Sequence, residues 1–388
     1  MQRTTGHFIT STTAGERFQA FVPSPLPPEP SLVIDAALLG LSEKANRALG
    51  RLDGISALLP DTELFLYQYI RKEAVLSSQI EGTQSSLSDL LLFEIEAAPG
   101  VPLDDVQEVS NYVAAMKHGL QRLDEGFPLS LRLLREIHEI LLSHGRGMHK
   151  QPGEFRRSQN WIGGTRPGNA RFVPPPPERL ADCLGDLEKF FHEEETGLPV
   201  LIKAALIHVQ FETIHPFLDG NGRLGRLLIT LMLCQQQVLI QPLLYLSLYF
   251  KTHRDSYYDQ LQRVRREGDW EGWLRFFLQG VFETATGAVD TANALLELFE
   301  QDRQRIRDMG RISGSCLQLH HLMQRRPIFR IPLASEELGI NRTSIGNCLK
   351  RLIDAGMVSE ITGYQKHRLF RYDRYIELLS EGTEPLAR

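Results

Sequence analysis

The chemistry of this chain concentrates in one loop, His215 to Arg226, which reads HPFLDGNGRLGR. Gly220 and Gly222 remove side chains where the chain enters a helix, so the unpaired backbone N–H groups of the helix start can approach an anion closely. Arg223 and Arg226 stand three residues apart and share a face of that helix, aimed at whatever the cradle holds. Asp219 can hold a divalent cation that bridges phosphates, Asn221 can hydrogen-bond a phosphate oxygen, and His215 can take a proton near neutral pH. A base, a metal ligand, a cradle and a clamp together suit group transfer from a polyphosphate. Two other phosphate or metal loops are excluded by spacing. No GK[ST] follows the glycines as a P-loop requires. Counted from Asp219, the sixth and twelfth positions of a calcium-binding loop are Leu224 and Thr230, where Gly and Glu are needed.

The loop joins two helices that read as core. Leu201 to Glu212 is mostly apolar, and Leu224 to Cys234 is apolar on nearly all sides. Upstream, Gly145 to Pro177 is rich in turn residues. Within it Gln159 to Ile162 and Arg171 to Val173 flank GGTRPGNA as a short hairpin with free edges, closed off by Pro174 to Pro177. The run PSPLPPEP, Pro23 to Pro30, cannot be helical and predicts an extended tether. Downstream, Pro332 to Tyr372 suggests a winged helix: Ala334 to Leu338 as one helix, Gly339 as the turn, Asn341 to Ala355 as the second helix, and Met357 to Tyr372 as the wing. The expected fold class is mainly α. Its expected order is a tether over 1–30, an N-terminal helical unit over 31–100, a catalytic core over 101–285, a linker helix over 286–310 and a winged helix over 311–388.

The bulk composition narrows the function classes. A chain of 388 residues with 42% hydrophobic content can bury several cores, and a formal charge of −5 argues against a nonspecific nucleic-acid coat. Cys183, Cys234, Cys316 and Cys348 form no CxxC pair, which disfavours a zinc site of Cys pairs or a disulfide framework and favours the cytoplasm. No apolar run is long enough for a membrane span, and neither export nor a membrane partner is expected.

Position for position, the loop matches HPFx[DE]GNGRxxR, and the chain resembles the Fic family over about Ala14 to Ala285. The resemblance implies a helical core that transfers AMP from ATP, with Mg2+ or Mn2+, to a Ser, Thr or Tyr hydroxyl of a protein target and of the enzyme itself. It implies His215 as the catalytic base and Asp219 as the metal ligand. Asn221 and the backbone of Gly220, Gly222, Leu224 and Gly225 would hold phosphates, and Arg223 and Arg226 would clamp the outer ones. Asn160, Trp161, Ile162, Gly163, Phe172 and Val173 resemble a target-docking flap, where a segment is registered by strand addition. Tyr258, rather than Tyr257, is the choice for a tyrosine that reaches the nucleotide. Some relatives transfer phosphate or other nucleotides.

Ser77, Glu81 and Gly82, in LSSQIEGTQSS, are similar to the family's inhibitory signature [ST]xxxE[GN]. The residues also make physical sense. If Gly82 ends a helix, Glu81 lies in the last turn, where a carboxylate meets the negative end of the helix dipole and needs a cation. The resemblance points to Arg226 as that cation. In some relatives the same glutamate serves removal of AMP, so a reverse or bifunctional enzyme is the alternative.

At the start of the expected recognition helix, Asn341, Arg342, Thr343, Ser344 and Asn347 have the types that meet phosphates and base edges. Arg325, Arg326, Arg330, Lys350, Arg351, Lys366, His367 and Arg368 add positive charge. DNA is one candidate partner; docking of a protein target, or self-association as a homodimer, is the other. A DNA-binding regulator with a nucleotide-sensing core is the reading from a different functional class.

Overall fold

The computed structural model describes residues 3–13, 15–56, 62–93, 103–193, 197–364 and 367–386. It opens on two antiparallel strands, β1 (Gly6–Thr13) and β2 (Glu16–Pro23), in register from Gly6 opposite Pro23 to Thr13 opposite Glu16. The tether expected over 1–30 is thus a hairpin for most of its length. Its inner face explains why: Phe18 and Ala20 of β2 bury against Val173, an anchor far along the chain that local spacing does not reveal.

Helices follow as α1 (Ala36–Ser56), α2 (Thr62–Ile80), α3 (Leu87–Phe93), α4 (Leu103–Asp124), α5 (Leu131–Leu141), α6 (Pro177–His192), α7 (Val200–Ile214), α8 (Asn221–Gln235), α9 (Ser247–Thr252), α10 (Arg254–Glu267) and α11 (Trp270–Arg307). The protein is mainly α, as the sequence pattern predicts. From Leu201 to Ile214 every residue of α7 except Lys203 is buried, and α7 packs on α6, α8, α10 and α11. A helix apolar on all sides has no face for water and takes the centre. Trp273 fixes α11 to it by donating its Nε1 hydrogen to the Ala205 carbonyl at 2.9 Å.

α11 also runs unbroken through the boundary expected at 285 and 286. Asp269 caps its start by accepting from Gly272 N, no proline interrupts it, and its inward residues keep helical spacing from Trp273 to Ile306. The boundary expected between 100 and 101 lies outside the described residues. Beyond α11 come α12 (Ser313–Arg325), β3 (Ile328–Arg330), α13 (Ile331–Leu338), α14 (Arg342–Asp354), β4 (Val358–Glu360), β5 (Leu369–Tyr372) and α15 (Asp373–Ser380), with the strands ordered β3-β5-β4. The buried apolar side chains run continuously from Val22 through α7 and α8 to Leu379. None of the described helices is long and apolar enough to cross a membrane.

The expected hairpin around GGTRPGNA is reduced to one bridge, Ile162 with Phe172. A 3-10 turn at Pro167–Asn169 intervenes, and Asn169 Oδ1 accepts from the backbone N–H groups of Thr165 and Arg166. Nor are both edges free, because Phe21 N of β2 donates to the Val173 carbonyl at 2.9 Å.

Candidate active site

α7 ends at Ile214, and the next residue, His215, adopts the left-handed conformation at φ 50° and ψ 61°. A residue with a side chain adopts it only when its surroundings hold it there. Here the backbone is held from several sides. Arg156 donates from Nε to the His215 carbonyl at 2.9 Å and from Nη2 to the Pro175 carbonyl at 2.6 Å. Asn160 donates from Nδ2 to the carbonyls of His215 and Phe217 at 3.2 and 2.9 Å. The buried ring of Phe217 stacks on His138 with centroids 3.7 Å apart. Gly153 N donates to Nδ1 of His138, so the hydrogen of that ring sits on Nε2 and is donated to the Asp219 carbonyl at 3.0 Å.

These contacts revise several sequence expectations. Asn160, expected on the docking flap, spends its Nδ2 on anchoring the loop that holds His215. Both ends of the Asn221 amide are taken up inside the loop: Oδ1 accepts from Phe217 N and Nδ2 donates to the Phe217 carbonyl, each at 2.9 Å. Asn221 therefore shapes the loop, and of its side-chain groups only the second Nδ2 hydrogen is left to face the cavity. Arg156, His138 and, below, Glu212 escaped the sequence reading. The first two act on backbone carbonyls far away in sequence, whereas Glu212 carried a readable signal in its three-residue spacing from His215.

Gly220 caps α8 in the left-handed region at φ 74°. The N–H groups of Asn221, Gly222 and Arg223 are the first of the helix and have no intrahelical partner. Leu224 does not belong to this cradle, because its N–H donates to the Gly220 carbonyl at 3.0 Å and its side chain is in the core. Gly225 lies a turn inside the helix and serves packing: a Cβ there would meet Glu212 Oε1 at 2.5 Å. At Gly222 a Cβ would meet Glu81 Oε1 at 2.2 Å.

Above the cradle opens a cavity of about 430 Å³, bounded by His215, Asp219, Arg226, Tyr258 and Glu81 among others. That size suits a small ligand. Burial, reinforced by Arg265 and Arg156, pushes the His215 imidazole down to about 3, so the ring is neutral at pH 7. Arg226 is buried and held at two of its three nitrogens: Nη2 meets Glu81 Oε1 at 2.7 Å and donates to the Ser77 carbonyl at 2.9 Å, while Nε donates to Ser77 Oγ at 2.9 Å. The cation thus lies against the carbonyl end of α2, where it is favourable. Burial works against ionisation of Glu81, yet Arg226, with help from Arg223 and His215, holds its carboxyl below the ordinary range. Glu81 is the first residue beyond α2, and Gly82, at φ +101°, turns the chain away.

Arg223 differs from its neighbour. Nη1 pairs with Glu108 Oε1 of α4 at 2.8 Å and Nη2 approaches Asp219 Oδ1 at 3.5 Å, so it braces the loop as well as lining the cavity. Among the described residues no cluster of three or more His, Cys, Asp or Glu could hold a metal ion. Tyr258 lines the cavity with Arg254 5.3 Å from its ring centre, whereas the Tyr257 hydroxyl lies in the core, 2.8 Å from His208 Nε2. Trp161, Ile162 and Gly163 form the rim. Phe172 and Val173, expected on the docking face, are buried beneath β2 and offer a target no side chain.

Far from this site, Arg342, Thr343 and Asn347 are exposed on α14, and Ser344 is half-buried. Asn341 caps the helix, its Oδ1 accepting from Ser344 N at 2.8 Å, which leaves only its Nδ2 hydrogens for a partner. Arg326 is paired with Glu337 at 2.8 Å. Lys366 lies outside the described residues.

A buried histidine beside the open N–H groups of a helix start, on a mainly α scaffold, defines a helical protein with a site shaped to face an anion. Residues 39–121 match the Fic/DOC family N-terminal model and residues 128–233 the Fic/DOC family model, the second match holding His215 to Arg226. It is 34% identical over 236 residues to the protein adenylyltransferase Fic of Aedes aegypti, covering 58% of this chain and 43% of the relative, and 33% identical over 242 residues to that of Culex quinquefasciatus, covering 60% and 44%. The chain spans less than half the length of these curated relatives. The fold is similar to the crystal structure of a Fic family protein from Desulfovibrio desulfuricans, with a TM-score of 0.57 and 21% identity over 89% of this chain and 98% of that one. A Fic domain containing signaling protein from Bacteroides thetaiotaomicron matches with a TM-score of 0.52 and 19% identity, over 65% of this chain and 97% of that one.

Proposed function

We propose that this protein transfers AMP from ATP to a hydroxyl side chain of a protein, and that Glu81 restrains the reaction. One observation carries the reading: a neutral His215 and the open N–H groups of α8 share a cavity in which a buried cation, Arg226, is held by Glu81 at 2.7 Å. The relatives' names supply the nucleotide and the protein acceptor. The hydroxyl oxygen bonds to the α-phosphorus, the bond to the β-phosphate oxygen breaks, and pyrophosphate leaves with the electron pair. His215 takes the hydroxyl proton, and the N–H groups of Asn221, Gly222 and Arg223 face the phosphate charge.

Oδ2 of Asp219 has no hydrogen bond among the described residues, and the side chain is 37% exposed. A single open carboxylate suits magnesium or manganese, whose remaining ligands come from phosphates and water. Such a cation would neutralise phosphate charge. The restraint is steric and electrostatic: Glu81 occupies the arginine that an outer phosphate needs, so ATP sits without its productive hold.

The test uses ATP labelled on the α-phosphate and follows label on the protein itself and on candidate targets. Glu81→Gly should raise transfer about tenfold or more, the equivalent of freeing ~1.4 kcal/mol of binding at Arg226. His215→Ala in that background should abolish it with the fold intact. Unchanged transfer in Glu81→Gly rejects the restraint.

The helix-strand-helix-helix-strand-strand order of residues 313–372 supports a winged helix, and the exposed Arg342, Thr343 and Asn347 favour nucleic acid as its partner. A mobility shift with duplex DNA that weakens steeply with salt and is lost in Arg342→Ala would support this; no shift at low salt rejects it.

A further inference from the structure

We propose that Glu212 is a positioning residue for His215: its carboxylate accepts the Nδ1 hydrogen of the imidazole, which leaves the Nε2 lone pair for the incoming hydroxyl. This rests on the reading of His215 as the base. Glu212 lies in the last turn of α7, three residues before His215, with its Oε2 3.9 Å from His215 Nδ1. Among the described residues, His215 Nδ1 and Glu212 Oε1 are both buried without a hydrogen-bond partner. Buried polar atoms left unpaired cost about 1–3 kcal/mol each, and a small rotation of the ring brings the unpaired Nδ1 from 3.9 Å into hydrogen-bond reach of Oε2 of the same carboxylate.

The surroundings keep this carboxylate for the histidine. From α10, Arg265 donates to the Glu212 backbone carbonyl at 2.9 Å and to Thr213 Oγ1 at 3.1 Å, not to the carboxylate. From α8, Arg226 is taken up by Glu81 and Ser77. Tyr257 of α10 and Glu81 after α2 also face Glu212, and neither offers a cation. Gly225 of α8 makes the space, since a Cβ there would stand 2.5 Å from Glu212 Oε1.

During transfer the hydroxyl proton moves to Nε2, and the Nδ1 hydrogen lies between the ring and the Glu212 carboxylate, whose negative charge stabilises the ring as it takes up the proton. The arrangement sets the sign of the pH dependence. Burial, with Glu81 adding to it against Arg226 and Arg265, pushes the Glu212 carboxyl up to about 7. Below that, the protonated carboxyl donates to Nδ1, the ring hydrogen moves to Nε2, and the base is lost although the imidazole stays neutral. Transfer therefore falls as pH drops through neutrality, and the acid limb belongs to Glu212.

The experiment compares Glu81→Gly with Glu81→Gly/Glu212→Gln in kcat and in KM for ATP across pH, and reads the His215 tautomer by 15N NMR in the Glu81→Gly protein. Expected are a fall in kcat of about tenfold or more, as for other carboxylates behind working histidines, KM for ATP within about twofold since no phosphate contact changes, loss of the acid limb near neutrality, and an Nδ1–H ring above it. Unchanged kcat, a loss confined to KM, a retained acid limb, or an Nε2–H ring well above neutral pH each overturns the proposal. His215→Ala in the same assay separates the two readings: if it still transfers AMP, the assignment of the base fails, whereas if it is inactive and Glu212→Gln is not, only the role of Glu212 fails.

Discussion

At the scale of the residue, two arginines three positions apart have different fates. Arg223 braces the loop through Glu108 and Asp219, while Arg226 is held by residues 149 and 145 positions away, Ser77 and Glu81. The restraint should therefore be graded. Ser77→Ala deletes the hydrogen bond to Arg226 Nε but leaves the carboxylate, and should raise AMP transfer about fivefold, the equivalent of ~1 kcal/mol, against the larger gain in Glu81→Gly. Equal rates for Ser77→Ala and wild type would show that the hydroxyl adds nothing. The pH sign is definite as well. Because Arg226 holds the Glu81 carboxyl below the ordinary range, their pairing is intact above that range and weakens only as pH falls through the lowered value. Near neutral pH the Glu81–Arg226 pair itself stays intact, so a pH effect on the ratio of Glu81→Gly to wild-type transfer there reports Glu212, whose carboxyl Glu81 helps to raise.

At the scale of the element, the loop between α7 and α8 works because other elements clamp its backbone. α5 supplies His138, whose imidazole burial pushes down to about 4. Its neutral form is the one the fold uses, so its contribution is whole above the ordinary histidine value and is lost as pH falls from there to about 4. His138→Phe keeps the stack on Phe217 but leaves the Asp219 carbonyl and Gly153 N–H unpaired. Denaturant titration should show a loss of about 2 kcal/mol at neutral pH, with a shallower decline toward acid than wild type. The short segment Asn160–Gly163 forms the rim on one side of the Ile162–Phe172 bridge, and β2 covers the other. Spacing alone suggested a free hairpin, because the partner strand lies in the N-terminal residues read as a tether.

At the scale of the whole molecule, the helix that bears Glu81 is tied to the far end of the described chain. Gln79 Nε2 donates to the carbonyls of Ser85 and Thr383 at 2.8 Å each, and Lys251 Nζ donates to the carbonyls of Gly382 and Glu384. Cutting the chain after Ser380 should loosen the last turn of α2, seen as lower hydrogen-exchange protection there, and raise basal AMP transfer; unchanged protection would show that the tie is not felt at Glu81. The sequence by itself determined the mainly α class and singled out the stretch from His215 to Arg226 that lines the cavity, because helical periodicity and a helix start rich in glycine are local properties written in spacing. Only the tertiary structure decided what each residue of that stretch does. Asn221 and Leu224 turn inward, Arg223 and Arg226 take opposite partners, Glu212 comes to face His215, and Arg156 and His138 enter as supports. Those outcomes depend on which distant carbonyls, carboxylates and rings packing brings within hydrogen-bond reach, and that is set by how α2, α4, α5 and α7 meet, not by the order of residues along any one of them.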